Sequence, residues 1–241
     1  LTSIDFSPFI ANAFKCFVDF ENSPDPGDEF RLHLLGINLR QDRFVISILE
    51  KLFDRYMQHN RKAVVSYDSI NFHLAAQKKL KSLEIYDFQD KLTVYREIPE
   101  VPDDILKKVY LELFDGIKEE IARIKNFRSV NHSGAFGALN IYSNEAIDRY
   151  FENVIEEYDL IDLIIHPNNG IRFVNRIRSI FEDLSNRHPY IFTDFMITDI
   201  KNSLSIILDF HRFYKDKRDM KRMDAKVYRF IDKIGFPRVL M

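Results

Sequence analysis

The chain contains no tryptophan, one cysteine, seven glycines and eight prolines in 241 residues. Each shortage excludes something. A single cysteine, Cys16, rules out an internal disulfide framework and points to a reducing compartment. So few glycines and prolines argue against an all-β protein, which needs many tight turns. Charge of one sign is also missing: 35 Lys and Arg stand against 37 Asp and Glu, a net charge of −2. A protein that simply coats nucleic acid is basic overall, so any such role here needs a local patch. No apolar run reaches the roughly 20 residues of a membrane helix; Leu160–Ile165 and Leu204–Leu208 fall far short. No signal peptide is expected. The first residue is Leu1, as expected of a trimmed chain or one with flexible segments left out.

What is present is phenylalanine. Twenty-two Phe and 11 Tyr bring aromatics to 14%, within a hydrophobic content of 46%. Phe is therefore the expected core filler, each buried ring contributing roughly 1.5–3 kcal/mol.

The hydrophobic spacing predicts a mainly α protein with a few short β-strands in its N-terminal part (α+β). Pro8 opens a helix over Phe9–Phe20, and Asn22–Asp28 is a loop. Phe30–Asn38 alternates as a short strand, Gln41–Gln58 is amphipathic, and Ala63–Tyr67 is β-prone. Ser69–Leu83 has a helical pattern with a basic tip, and Lys91–Ile98 alternates as a strand. Asp103 or Asp104 caps a long helix to about Asn126, and Phe127–Leu139, with Gly134 and Gly137, is expected to be a loop. Ser143 or Asn144 then starts a helix running to about Ile165, stopped by Pro167; His166–Gly170 is a turn. Helices follow over Ile171–Leu184, from Thr193 or Asp194 to about Tyr214, and over Asp219–Ile234. One domain, 1–241, is expected, with a subdivision near residue 100: 1–100 mixed α/β, 101–234 helical, and 235–241 a C-terminal arm.

Catalytic signatures are sparse. None of the seven histidines pairs with another His or a Cys at zinc-binding spacing, so no metal and no cofactor is expected. Lone histidines of this kind are usually hydrogen-bonded surface or core residues. Cys16, within the apolar run Ala13–Val18, is expected to act as a small buried hydrophobe. There is no Gly-x-Ser-x-Gly elbow, and Gly134-Ala-Phe-Gly137 lacks the Lys-Ser/Thr of a phosphate loop. Arg128 and His132 evoke the Arg-and-His pairing of helical ribonucleases, but their spacing of three intervening residues in a loop makes that the minor reading. No catalytic residue is expected.

The charge layout says more. Glu145, Asp148, Glu152, Glu156, Glu157, Asp159 and Asp162 make one helix acidic, and Arg172, Arg176, Arg178 and Arg187 make the next basic. The last segment carries Arg212, Lys215, Lys217, Arg218, Lys221, Arg222, Lys226 and Arg229, interleaved with Phe213, Tyr214, Tyr228 and Phe230. Single-strand binders use that mixture, cations on the phosphates and rings on the bases. The blander reading is a solvated basic face whose rings turn into the core. A third is self-association, acidic and basic surfaces of different subunits meeting. Phe236, Val239, Leu240 and Met241, after the helix-ending Gly235, form an apolar tail that either docks into a neighbour or folds back.

The Asn-, Ile-, Asp- and Phe-rich texture, the opening Phe9-Ile-Ala-Asn-Ala-Phe14 and the closing Phe230-Ile-Asp-Lys-Ile-Gly-Phe-Pro-Arg-Val-Leu-Met241 resemble the viroplasm matrix proteins of plant-infecting fijiviruses. The likeness covers those two stretches and the texture. It implies a mainly helical, non-enzymatic protein of the host cytoplasm that binds single-stranded RNA. Such a protein assembles into dimers and larger oligomers through a C-terminal arm, here Gly235–Met241, and builds inclusion bodies for virus replication. The alternatives are a helical ribonuclease or toxin domain using Arg128 and His132, and a helical adaptor whose acidic helix Glu145–Asp162 holds a basic protein partner.

Overall fold

A computed structural model describes residues 6–37, 39–57, 60–68, 83–86, 92–95, 100–113, 132–189 and 191–215. It is mainly helical with a few short strands in its N-terminal part, as the spacing predicts. The chain forms two compact units, Leu1–Asp68 with Val154–Met241, and Ser69–Asn153. The subdivision near residue 100 therefore falls inside the second unit.

The first unit opens with α1 (Ser7–Glu21), β1 (Glu29–Leu34), α2 (Arg40–Tyr56) and β2 (Lys62–Tyr67). In α1, Ile10, Ala13, Phe14, Phe17 and Val18 recur at three- and four-residue steps and are buried. Cys16 lies off that stripe and is exposed, not the buried hydrophobe expected of it. β1 and β2 pair in parallel, Phe30 opposite Ala63 and Leu34 opposite Tyr67. Parallel neighbours need a crossover, which α2 supplies. Phe30, Leu34, Ala63 and Val65 turn inward, while Arg31, His33, Lys62 and Ser66 stay exposed.

The rest of this unit is the end of α4 (His132–Glu157), then α5 (Leu160–Ile165), α6 (Gly170–Arg187) and α7 (Asp194–Lys215). The core is phenylalanine. Phe53 stacks on Phe17 at 4.6 Å and meets Phe14 edge-on at 5.1 Å. Phe14 in turn stacks on Phe210 of α7 at 5.1 Å. A second cluster joins Phe44 of α2 to Phe181 of α6 and to Phe192.

The second unit contains an antiparallel pair, β3 (Leu83–Tyr86) and β4 (Leu92–Tyr95), with Leu83 opposite Tyr95. It also contains α3 (Asp103–Leu113) and most of α4. Asp103 and Asp104 occupy the first turn of α3, where carboxylates complement the helix dipole.

Two expectations are corrected. The loop read over Phe127–Leu139 is helical from His132 onward, and Ser143 and Asn144 lie inside α4 instead of starting a helix. Gly134 and Gly137 each cost a helix about 1 kcal/mol relative to Ala, and Ala135, Ala138 and Leu139 around them favour it. The helix expected to continue to Ile165 is broken at Tyr158–Asp159, where Asp159 takes the left-handed conformation at φ 50°. Packing supplies the reason. At about 100° per residue, Leu160 and Ile164 would face roughly opposite to Val154 and Ile155 on one straight helix. All four are buried, so the chain must change direction between the pairs. Aspartate tolerates the left-handed conformation better than most residues. The predicted helices over Ser69–Leu83 and Asp219–Ile234 lie outside the described residues, except for Leu83, which opens β3.

Candidate nucleic-acid interface

The turn from α5 into α6 and the last turn of α7 enclose an open groove of about 670 Å³. Ile165, His166, Asn168, His211, Arg212 and Lys215 line it. Pro167 prevents α5 from continuing, and the Asn169 side chain accepts the Arg172 amide at 3.1 Å, which starts α6. The groove therefore sits where two helix ends are fixed by their own residues.

His211 anchors its wall. The ring is buried, and its Nε2 lies 3.1 Å from the Ile165 carbonyl oxygen. A carbonyl only accepts, so Nε2 carries the hydrogen, and Nδ1 of the neutral ring accepts the Tyr56 hydroxyl of α2. Burial holds the His211 pKa below the usual histidine value, and Lys215, His166 and Arg212 act in the same direction. Tyr56 stacks on Tyr214 at 4.3 Å and on His211 at 5.8 Å. Burial raises the Tyr56 hydroxyl pKa and pushes that of Tyr214 up to about 12, with Glu21 adding to the latter. All three rings are neutral at physiological pH.

Arg212 and Lys215, two of the cations singled out from the sequence, project from the rim of this groove; both are exposed. Arg212 lies 3.6 Å from Asp209. Tyr214, one of the interleaved rings, turns inward, so its face stacks on protein. Lys217, Arg218, Lys221, Arg222, Lys226 and Arg229 lie outside the described residues, as do Tyr228, Phe230 and the tail residues Phe236, Val239, Leu240 and Met241.

A second groove, of about 530 Å³, opens between α2 and α5. Asp54, Glu156, Asp159 and Asp162 make it acidic. Lys51 pairs with Glu156 at 2.6 Å, and Arg55 stands 3.7 Å from Asp162. The acidic helix read from the sequence thus contributes only its end to this groove. Glu157 is engaged elsewhere: Arg187 bridges Glu157 and Asp183, each at 3.1 Å, and also reaches the Tyr158 hydroxyl. Arg187 is therefore part of an ion-pair network, whereas Arg172, Arg176 and Arg178 are exposed along α6.

The chain matches no family model, no curated protein and no solved structure.

Among the described residues no three His, Cys, Asp or Glu side chains form a metal-binding group. Arg128 lies outside the described residues, and His132 begins α4. Cys16 is exposed at the surface of α1, yet the protein around it partly desolvates the thiol, and this, followed by Asp19, raises its pKa and disfavours the nucleophilic thiolate. Among the described residues no helix is long and apolar enough to cross a membrane.

Sequence reasoning missed Ile165, His166 and Asn168 as groove residues, and Tyr56 as the partner of His211 behind them. A signal for His211 was present: it follows Ile207 and Leu208 by four and three residues, on the buried stripe of α7.

Proposed function

We propose that this chain is a non-catalytic, self-associating protein that binds single-stranded RNA and forms the matrix of viral replication inclusion bodies in the host cytoplasm. One observation carries the RNA reading: the groove at the end of α7, where Arg212 and Lys215 stand exposed over a neutral wall and begin the basic run that continues to Arg229. Cations on an open groove attract phosphates through counterion release, without reading bases. Tyr56 and Tyr214, both half-buried, stack on each other, which leaves phosphate binding as the contribution of this part of the site. Self-association is assigned to Phe236, Val239, Leu240 and Met241, and the inclusion-body role rests on the resemblance of the two end stretches to fijivirus viroplasm proteins.

The test is fluorescence anisotropy with a labelled single-stranded RNA across a salt series, beside light scattering after size exclusion. The variant Arg212→Ala, Lys215→Ala lowers affinity and reduces the salt slope by about 1.4, about 0.7 for each phosphate no longer neutralised. A chain stopped at Ile234 elutes as a smaller particle. RNA binding with an unchanged slope, or no binding by the intact chain, overturns the RNA reading. An unchanged particle mass overturns the tail assignment.

A further inference from the structure

The two grooves meet on one helix. Ile161 lines the acidic groove and Ile165 the basic one. Four residues apart, they lie on the same face of α5, roughly 6 Å from each other. Both are half-buried. The face around α5 therefore has Asp54, Glu156, Asp159 and Asp162 at one end, His166, Arg212 and Lys215 at the other, and aliphatic side chains between. At the acidic end Lys51 and Arg55 offset two of four carboxylates, leaving a surplus of negative charge. At the basic end no carboxylate lines the groove; Asp209, outside it, stands 3.6 Å from Arg212 and offsets one of the two cations, leaving Lys215 as the surplus positive charge.

We propose that this face docks a second copy of the same chain. A two-fold axis through the middle of α5 lays the acidic end of each copy on the basic end of the other and the two aliphatic strips together. Such self-complementarity is what an isologous interface requires. A foreign basic protein would satisfy only the acidic end, and RNA only the basic end; a second copy satisfies both. This docking face is separate from the C-terminal tail. It rests on the RNA reading only in that RNA and the second copy compete for Arg212 and Lys215.

The test uses the full chain and two charge-reversed variants, Glu156→Lys with Asp162→Lys, and Arg212→Glu with Lys215→Glu. All four side chains are exposed, and circular dichroism checks that each variant is folded. Sedimentation velocity is run on each alone and on an equal mixture, at about 0.05 M and about 0.5 M salt, where screening lengths differ severalfold. Each variant alone associates at least about tenfold more weakly than the wild type, because like charges now face each other at both ends. The equal mixture regains the wild-type mass, since every reversed end again meets its opposite. Wild-type association weakens at the higher salt.

The proposal is overturned if the variants sediment like the wild type, if mixing restores nothing, or if wild-type mass ignores salt. It is also overturned if poly-lysine binds the acidic end while the wild type remains a monomer, which would make the face a site for a foreign basic partner. RNA binding is measured on the same proteins. Glu156→Lys with Asp162→Lys leaves it intact, so failure of docking and failure of the RNA reading register separately.

Discussion

Asp42 sits in the first turn of α2, half-buried and facing Asp199 of α7, whose carboxylate accepts from the Gln41 amide at 3.2 Å. Burial, reinforced by the Asp199 charge, pushes its carboxyl pKa up to about 7 from 3.8. The dipole of α2 acts the other way, by about 0.3–1 kcal/mol, and is outweighed. A raised folded-state pKa means that between about pH 4 and 7 the native state keeps a proton the unfolded chain has released. Stability from this group is therefore present at low pH and falls as pH rises through 7. About three pKa units at about 1.4 kcal/mol each set a ceiling near 4 kcal/mol. Remaining solvent access to the carboxyl reduces the expected effect to about 1–2 kcal/mol. Asp42→Asn removes the charge and keeps the shape. Urea unfolding at pH 8 is expected to show the variant more stable than the wild type by about 1–2 kcal/mol, with the gap closing or reversing at pH 5. A difference that is the same at both pH values, or larger at pH 5, refutes the reasoning.

Phe53→Ala removes a ring that touches Phe14, Phe17 and Phe30, and a loss of about 3–5 kcal/mol is expected in the same unfolding assay. His211→Phe keeps the volume but strands the Tyr56 hydroxyl and the Ile165 carbonyl; the expected loss is about 1–3 kcal/mol, read by thermal melting. Asp159→Gly relieves a left-handed residue and is expected to be neutral or stabilising by up to about 1 kcal/mol, whereas Asp159→Val costs more than that. A stabilising Val there would show that the break between α4 and α5 is not needed.

Amphipathic spacing located α1, α2, α6 and α7 within a few residues, because Phe, Ile and Leu at three- and four-residue steps have one means of burial. It failed where a local cue and a tertiary demand disagreed. Gly134 and Gly137 read as loop residues, yet one helix carries both. Val154 through Ile164 read as one helix, because periodicity shows that apolar residues recur and not that their direction must change at Asp159. Arg212 and Lys215 were legible as cations. Their setting was not, since Tyr56, Ile165 and His211 come from three separate elements and no spacing in a single segment brings them together. Cys16 shows the limit of composition: an apolar neighbourhood in sequence did not place it on the apolar side of its helix.

Phe14 of α1 closes against Phe210 of α7, and the stretch Ser69–Asn153 between them belongs to the second compact unit. During synthesis this order has a cost. The α1–β1–α2–β2 portion leaves the ribosome with Phe14, Phe17 and Phe53 in place but without the α7 surface that packs on them. The opening segment must therefore wait with its rings exposed until nearly all the described residues have been made. Truncations on the N-terminal side of α7 would yield sticky, aggregation-prone products.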